Sequence, residues 1–501
     1  MVLQEESNSS PFMADSGLEK KLPGNMHESS EDIESVPISK HEKPFSILSA
    51  IGLGYSITNT STGLILTFGT TLPFGGSPLF FFGFLVMTAI AFCIALSLGE
   101  MSSAWPHSGG QYFWTSRLAP EKGRRFLSYV TAIISWTSVI CISVSCALIA
   151  AELWLSIISF VVPLDVKPWM TFLVYQAVNI GIFGFNCFES LLAIMGRFLM
   201  GLTIVTSVVV FIALFAAGGP IVSASEFFTD FTNTSGWPDG IAFFIGINGI
   251  NWCFSCLDAA THLADEIPNP AKNIPRCLMW TVGISAVSGM PVILAMFLTL
   301  NKVTDTDSLS LFYNVLHQNT RAAIAIQSLV LASAMSSLVG IHTWQARIAW
   351  ALGRDKGLPF HKFLSKVAPA PFSAPLWAHL WSASFTALCG CIYLGSRTAF
   401  SSFIAAGIIL QYATYCLPIA LMWWRGRATI KHGPFWFPRL GPVANAVTFT
   451  WFAIILVVYC LPFYLPVVAN EMNYVSAVLV VIFGWALLYW VLYGRKNYKC
   501  D

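Results

Sequence analysis

Long apolar runs recur through the chain, and each is close to the ~20 residues that an α-helix needs to cross a bilayer. Loops and open sheet edges cannot satisfy their backbone polar groups in lipid, so such runs are restricted to membrane helices. We therefore predict an all-α polytopic membrane protein with 12 transmembrane helices. The runs cover residues 46–70, 78–98, 126–158, 168–188, 191–217, 240–264, 277–300, 322–350, 375–394, 399–423, 443–466 and 474–494.

The composition excludes other classes of protein. Only 10% of the 501 residues are charged, against roughly 25% in soluble domains. The net charge of +2 is too small to indicate a nucleic-acid partner. The 12 cysteines are scattered through apolar runs and predict neither a metal site nor a disulfide framework. We predict no cofactor.

The distribution of Lys and Arg predicts the topology, because these residues concentrate in cytoplasmic loops. With the N-terminus inside, the outward loops hold only four of the 27 Lys and Arg, namely Lys167, Lys302, Arg321 and Arg397. An even number of spans then places both termini in the cytoplasm. Residues 1–42 are rich in Ser, Glu and Lys and predict a disordered cytoplasmic tail. We predict one twelve-helix membrane domain over residues 43–495 and a short cytoplasmic C-terminus at 496–501.

The sixth run is interrupted by residues that a continuous membrane helix does not favour. Asn248, Gly249 and Asn251 precede Trp252, and Asp258 follows six residues later. An Asp at the centre of a spanning helix costs ~2.5 kcal/mol or more. Such residues persist at this depth where they line a cavity or a broken helix. We favour a substrate site over a kinked structural helix with one satisfied Asp.

The first run is interrupted as well. Residues 54–63 read GYSITNTSTG, a polar and glycine-rich stretch inside an apolar span. We predict that this stretch is unwound and that Thr60, Ser61, Thr62 and Gly63 bind substrate through exposed backbone groups. Breaks in the first and sixth segments fall at matching positions of two five-helix repeats. This pattern predicts a 5+5 inverted-repeat, leucine-transporter-like fold with discontinuous helices 1 and 6 and two extra C-terminal helices.

Four stretches together resemble the amino acid–polyamine–organocation (APC) transporter superfamily, and within it the fungal amino acid/choline transporter family. The resemblance covers about residues 45–495. The sequence Ser255-Cys256-Leu257 before Asp258 is nearest the choline-transporter branch, since the GABA-permease branch has Gly-Gly-Phe there. The four stretches are LPFGGSP at 72–78, GEMSSAWPHSGGQYFW at 99–114, Leu257 to Arg276, and RIAWALGRDKGLPF at 347–360.

The sequence departs from the superfamily at three points, and the one in the fifth segment leaves the coupling ion open. Cys256 stands where the superfamily often has Gly. Ala346 stands where the superfamily usually has Ser before the Arg of the eighth-segment motif. Some relatives have a Lys in the fifth segment that substitutes for a sodium ion, and residues 191–217 contain no Lys.

The resemblance implies that Trp252 is an aromatic gate over the substrate. A quaternary ammonium binds the face of Trp, Tyr or Phe, which is worth ~1–2 kcal/mol per ring when desolvated. We therefore predict substrate contacts from Trp252, Phe254 and Ser255; lipid or core packing is the alternative for the two aromatic residues. The bound solute is predicted to be a choline-like amine or an amino acid.

Asp258 matches the acid that follows the break in the superfamily, and it is predicted to pair with a cation or to take up a proton. His262 lies four residues on, hence on the same helical face, and would complete a proton relay. A hydrogen-bonded bracket within the helix is the equal alternative. Glu266 is predicted to lie at the inner mouth and to form an ion-pair gate with Arg347, although a solvated charged loop explains such residues as well.

We predict a secondary active transporter that carries a small amine by alternating access. A choline-like amine is the first choice of substrate, and a proton is the candidate coupling ion. An amino acid or GABA permease, or a transporter of a specialised amine or alkaloid, are the alternatives. A nutrient-sensing receptor without net transport is the alternative of another class. An enzyme is not favoured, because the nine His are dispersed.

The plasma membrane is favoured over an internal membrane. Of three Asn-x-Ser/Thr sites, only Asn233 lies in an outward loop and is the predicted glycosylation site.

Overall fold

The computed structural model describes residues 46–217, 221–299, 307–469 and 472–499, without the side chains of residues 189, 190 and 192–194. The predicted tail at 1–42 lies outside the described residues. Every regular element in the described part is helical, and one isolated β-bridge joins Phe74 to Asn233. The prediction of an all-α chain is confirmed.

The helices are numbered α1 to α19 in chain order. Their bounds are Ile47–Thr58 (α1), Thr60–Leu66 (α2), Phe68–Thr71 (α3), Gly76–Ala104 (α4), Gln111–Leu118 (α5), Arg124–Val161 (α6), Pro168–Phe185 (α7), Glu189–Ala217 (α8), Ala224–Thr229 (α9), Asp239–Trp252 (α10), Pro270–Leu298 (α11), Ser308–Val315 (α12), Thr320–Arg354 (α13), His361–Leu364 (α14), Leu376–Gly395 (α15), Arg397–Arg425 (α16), Leu440–Val458 (α17), Val475–Tyr489 (α18) and Arg495–Asn497 (α19). Two 3₁₀ helices cover Leu257–Leu263 and Arg427–Thr429, and a π-helix covers Trp490–Gly494.

Within the described residues, nine helical segments are long and apolar enough to cross a membrane. Large apolar side chains such as Val287 and Val480 are exposed on their outer faces, as expected for contact with lipid. The three other predicted segments coincide with the short helices α1 to α3, with α7 and with α15. The count of twelve spans stays a prediction. The nine segments are Gly76–Ala104, Arg124–Val161, Met195–Ala217, Asp239–Leu263, Pro270–Leu298, Thr320–Arg354, Arg397–Arg425, Leu440–Val458 and Val475–Asn497.

The first segment has its left-handed break at Asn59, between α1 and α2. Asn59 has φ 44° and ψ 46°, a left-handed conformation that Asn tolerates better than most residues. Its side-chain amide donates to the carbonyl of Ser333 at 2.9 Å and to the Ser333 hydroxyl at 3.1 Å. The break is therefore stabilised by contacts with α13.

The predicted unwinding of residues 54–63 was too long, and Thr60 to Gly63 are helical residues of α2. The glycines that suggested unwinding serve close packing instead. A Cβ at Gly54 would lie 2.9 Å from the Thr281 hydroxyl, and one at Gly63 would lie 3.0 Å from the Cys253 sulfur. The Thr58 hydroxyl donates back to the Gly54 carbonyl at 3.1 Å, so this polar side chain is satisfied inside α1.

The sixth segment is also discontinuous, as predicted. Helix α10 ends at Trp252, and the chain turns before it continues as the 3₁₀ helix Leu257–Leu263. Cys256 adopts a left-handed conformation with φ 69° in this turn. The Thr60 hydroxyl donates to the Cys253 carbonyl at 2.8 Å, so the two breaks lie side by side.

Asn233 lies in the loop between α9 and α10 and is half-buried. Its Nδ2 donates to the Trp237 carbonyl at 2.7 Å and to Asp239 Oδ1 at 2.9 Å. Since a glycan is attached at Nδ2, glycosylation has to replace at least one of these bonds. We still expect Asn233→Gln to remove the only glycosidase-sensitive gel shift, because this is the one predicted outward site. A shift that persists in the variant would contradict the predicted topology.

Candidate functional site

A small cavity lies between the two breaks. Its volume is about 30 Å³, which is space for roughly one water molecule. Of the predicted substrate-binding residues, it brings together Thr62, Gly63, Trp252 and Ser255. The walls consist of Ile57, Thr58, Asn59, Thr62, Gly63 and Leu66 of the first segment, Ile142, Cys146 and Ile149 of α6, Trp252, Ser255 and Cys256 of the sixth segment, and Ala334, Ser337 and Ile341 of α13.

The electrostatic character of the cavity comes from the backbone. Among the described lining residues there is no Asp, Glu, Lys, Arg or His. Helix α1 ends beside the cavity at Thr58, and α10 ends there at Trp252. The C-terminal end of a helix carries about half a negative charge. The N-terminal end of α2 at Thr60 carries the opposite partial charge beside the same break. The face of the Trp252 indole ring adds a contact that favours a positively charged or dipolar solute over an anion.

Other predicted contact residues lie outside the cavity wall. Thr60 joins the two breaks through its bond to the Cys253 carbonyl. Ser61 is fully buried next to it in α2. Phe254 is buried, and its ring packs against Phe84 at a centroid distance of 5.3 Å. In this conformation Phe254 therefore contributes to packing, while Trp252 faces the cavity.

Asp258 is fully buried and is held by side chains from two other helices, α5 and α16. Its Oδ1 accepts hydrogen bonds from Gln411 Nε2 at 3.0 Å and from the Tyr415 hydroxyl at 2.6 Å. Its Oδ2 accepts one from Gln111 Nε2 at 2.6 Å. His262 Nε2 lies 3.6 Å from the same Oδ2, so the two residues do lie on one face.

Two ion pairs lie side by side at the end of α13, on the face predicted to be cytoplasmic. Arg347 Nε and Nη2 donate to the two carboxylate oxygens of Glu266 at 2.9 and 3.2 Å. Arg354 Nη1 lies 3.2 Å from Asp265 Oδ2. The Ser108 hydroxyl donates to Asp265 at 2.8 Å and accepts a bond from Arg354. The predicted contact of Glu266 with Arg347 thus exists, and its role as a gate stays a prediction.

The sequence did not single out several residues of this region. Cys146, Cys256 and Ser337 line the cavity, and Gln111 and Gln411 hold Asp258. Gln411 and Tyr415 stand four residues apart in a predicted membrane helix. This spacing places them on one face of the helix and was the sequence signal that could have identified them as a polar pair. Cys253 and Cys256 have Cys-x-x-Cys spacing and are both free thiols. The described residues contain no cluster of three or more His, Cys, Asp or Glu that could hold a metal.

Most of the chain matches one known protein family. Residues 45–484 match the family described as amino acid permease. This chain belongs to the amino acid permease family. The transmembrane transporter swnT of Metarhizium robertsii is 46% identical over 93% of this chain and 94% of the relative. The swainsonine transporter swnT of Arthroderma benhamiae is 46% identical over 91% of this chain and 92% of the relative. The choline transporter of Saccharomyces cerevisiae is 33% identical over 91% of this chain and 82% of the relative.

These similarities confirm the resemblance to the APC superfamily and to its fungal members. The permease is an integral, multi-pass membrane protein that transports a small organic compound. It is not an enzyme, because its relatives are transporters and permeases.

Proposed function

We propose that the permease is a secondary transporter that carries a small organic cation through the cavity between the two breaks by alternating access. The observation that carries the proposal is the makeup of this cavity. Trp252 meets the C-terminal ends of α1 and α10 and the N-terminal end of α2 there, and the described lining has no charged side chain to neutralise a solute. A cation is therefore held by an aromatic face and backbone dipoles, as quaternary ammonium ligands are.

The volume of the cavity requires movement during transport. A cavity of about 30 Å³ is far below the roughly 300 Å³ or more of ordinary small-molecule sites. The walls contributed by α6 and α13 have to separate from the two breaks before a solute can enter. Glu266 and Arg347 would hold the predicted cytoplasmic face shut in this state and release it when the permease opens inward.

Two solutes are proposed as substrates to test first. Swainsonine is named in a relative that is 46% identical, and choline is named in one that is 33% identical. We place swainsonine first for that reason, although the residues around Asp258 alone favoured a choline-like amine. The chain contains no GxxxxGK[ST] motif, so an ion gradient or exchange would drive transport. The plasma membrane is proposed as the site of action, with both termini in the cytoplasm.

Counterflow in proteoliposomes tests this function. Vesicles loaded with unlabelled solute are diluted into a trace of the labelled solute, and exchange is followed for swainsonine, choline, ethanolamine, GABA and a basic amino acid. We expect exchange of swainsonine, choline or both. Binding without exchange would favour the receptor alternative, and exchange of GABA or the amino acid alone would favour an amino acid permease.

Replacement of Trp252 tests the aromatic contact. Trp252→Leu keeps much of the apolar bulk and removes the strong π face, so the apparent affinity for a cationic substrate should fall about tenfold, equal to ~1.4 kcal/mol. Trp252→Phe should lose less, because a weaker π face remains. The half-saturation concentration for exchange measures both effects.

Trp280→Leu is the matched control, since Trp280 is 60% exposed on the outer face of α11. It should leave the apparent affinity unchanged. If Trp252→Leu and Trp252→Phe both keep the wild-type affinity, Trp252 is a packing residue and the cation proposal loses its main support.

A further inference from the structure

The position of one proton on His262 follows from its neighbours. The Nδ1 atom of His262 lies 2.9 Å from the backbone carbonyl of Ser108. A carbonyl oxygen only accepts hydrogen bonds, so Nδ1 has to carry a hydrogen and donate it. In the neutral ring, Nε2 then holds a lone pair and no proton.

Among the residues that the structure describes, that lone pair has no hydrogen-bond partner. His262 is 1% exposed, and its Nε2 is buried without a bond. The nearest carboxylate oxygen, Oδ2 of Asp258, lies 3.6 Å away, beyond hydrogen-bond distance. Two acceptors therefore face each other across a gap that one proton would close. A charge-assisted N–H···O bond would shorten this distance to ~2.8 Å.

Asp258 is surrounded by hydrogen-bond donors. The amide groups of Gln111 and Gln411 can only donate from nitrogen, and each donates to a different oxygen of the carboxylate. Tyr415 adds a third donor at 2.6 Å. Both oxygens are already occupied by donors, so the vacant place for a proton is on the imidazole.

We propose that Nε2 of His262 binds the proton that is coupled to transport, with Asp258 as its permanent counter-ion and Gln111, Gln411 and Tyr415 as positioning residues. This inference rests on the proposed function, because it names the coupling ion of that transporter. The proton comes from a hydronium ion of the aqueous phase: one O–H bond of hydronium breaks, the Nε2–H bond forms, and a water molecule is released. The sequence-based view that Asp258 itself takes up the proton is thereby refined.

The proton site is connected to the ion pairs at the predicted cytoplasmic face. His262 holds the Ser108 carbonyl, and the Ser108 hydroxyl bonds both Asp265 and Arg354. Gly110 packs close to the imidazole, because a Cβ there would lie only 2.8 Å from His262 Cε1. When Nε2 is protonated and the ring moves toward Asp258, the loop 105–110 has to follow. Proton binding and the closure of this face are therefore linked mechanically.

Other ionisable groups surround His262 and have to be separated from it in the test. His107 lies in the same loop, and burial together with the nearby charge of Arg354 lowers its pKa to about 4. It is thus uncharged at neutral pH in the folded protein and serves as a matched control. The remaining ionisable groups that face this region are Cys256, Asp258, Asp265 and Glu266 of the sixth segment, Tyr112 and Arg117 of α5, Tyr415 of α16, Arg347 and Arg354 of α13, and Asp355 directly after it.

The experiment compares exchange with uphill accumulation in the same proteoliposomes, using labelled swainsonine or choline, whichever the wild type exchanges. The membrane potential is clamped at zero and the outside is made one pH unit more acidic. One pH unit corresponds to ~1.4 kcal/mol, so one proton per substrate supports about tenfold accumulation in the wild type. His262→Gln should lose this accumulation and keep exchange, because Gln can still donate to the Ser108 carbonyl. His107→Gln should keep both.

Asp258→Asn provides a second variant in case His262→Gln fails to fold. The Asn amide can donate to the lone pair of Nε2 without an added proton, so this variant should also exchange without accumulating. Tenfold accumulation by His262→Gln would overturn the proposal. So would its loss in His107→Gln, or the loss of exchange in both His262→Gln and Asp258→Asn.

The two proposals fail in different ways. A wild type that exchanges solute but shows no accumulation overturns the proton site and leaves the proposed function intact. A wild type that exchanges none of the five solutes overturns the proposed function, and the proton site falls with it.

Discussion

Glu266→Gln is expected to shift the permease toward a conformation that is open at the predicted cytoplasmic face, by on the order of 3 kcal/mol. The side chain of Arg347 is only 4% exposed, and its guanidinium makes two hydrogen bonds to the Glu266 carboxylate. Gln keeps the shape of Glu and removes the charge, so a buried cation loses the anion that faces it. A change of this size raises the ratio of open to closed molecules about a hundredfold.

Cys146 reports the change, because it lines the cavity and is nearly buried in the closed form. Inside-out vesicles are treated with a membrane-impermeant maleimide, and mass spectrometry follows modification of the peptide that contains Cys146. The modification rate should rise strongly in Glu266→Gln. No substrate is needed, so the result does not depend on the identity of the solute.

The neighbouring residue offers a matched control. Asp265→Asn makes the same isosteric change one position earlier, in an ion pair whose two side chains are 32% and 39% exposed. Exposed pairs contribute ~1 kcal/mol or less, so modification of Cys146 should rise less than about fivefold. Equal rates in the two variants would contradict a gate that depends on the buried pair.

The sequence predicted where the long helices are interrupted, because the residues at the breaks are unfavourable in lipid. Asn59 and Asp258 are costly at membrane depth unless a specific partner satisfies them. The partners themselves could not be predicted. Gln111, Gln411 and Ser333 reach these residues from 147 to 274 positions away along the chain. Apolar periodicity assigns a polar residue to a helix, but it does not select its partner among the other helices.

The aromatic residues of the sixth segment illustrate a second limit. Trp252 and Phe254 stand two positions apart, yet Trp252 faces the cavity and Phe254 packs against Phe84. Trp252 ends α10, where helical geometry fixes its direction, whereas Phe254 lies in the turn that follows. Since neither period 3.6 nor period 2 applies within such a turn, sequence spacing alone does not tell which ring meets a solute.

Glu100→Ala is expected to lower the free energy of unfolding of the permease by roughly 3 kcal/mol, because it removes one partner of a buried ion pair. Glu100 is fully buried at the end of α4, where Arg427 Nη2 lies 2.9 and 2.8 Å from its two oxygens. The backbone N–H of Phe437 also donates to Glu100 at 2.9 Å. One carboxylate therefore fixes the segment between α16 and α17 against α4. Gly441 permits this approach, since a Cβ there would overlap both Glu100 and Arg427.

The midpoint of thermal unfolding in detergent measures the effect, with Lys431→Gln as the control. Lys431 is an exposed cation in the same segment, and its neutralisation should change stability by less than about 0.5 kcal/mol. The double variant Glu100→Gln and Arg427→Gln should be destabilised by less than the sum of its single changes, because neither charge is then left buried and unpaired. Additive effects would mean that the two side chains stabilise α4 and the 426–439 segment independently, although their charged groups are within 3 Å in the folded protein.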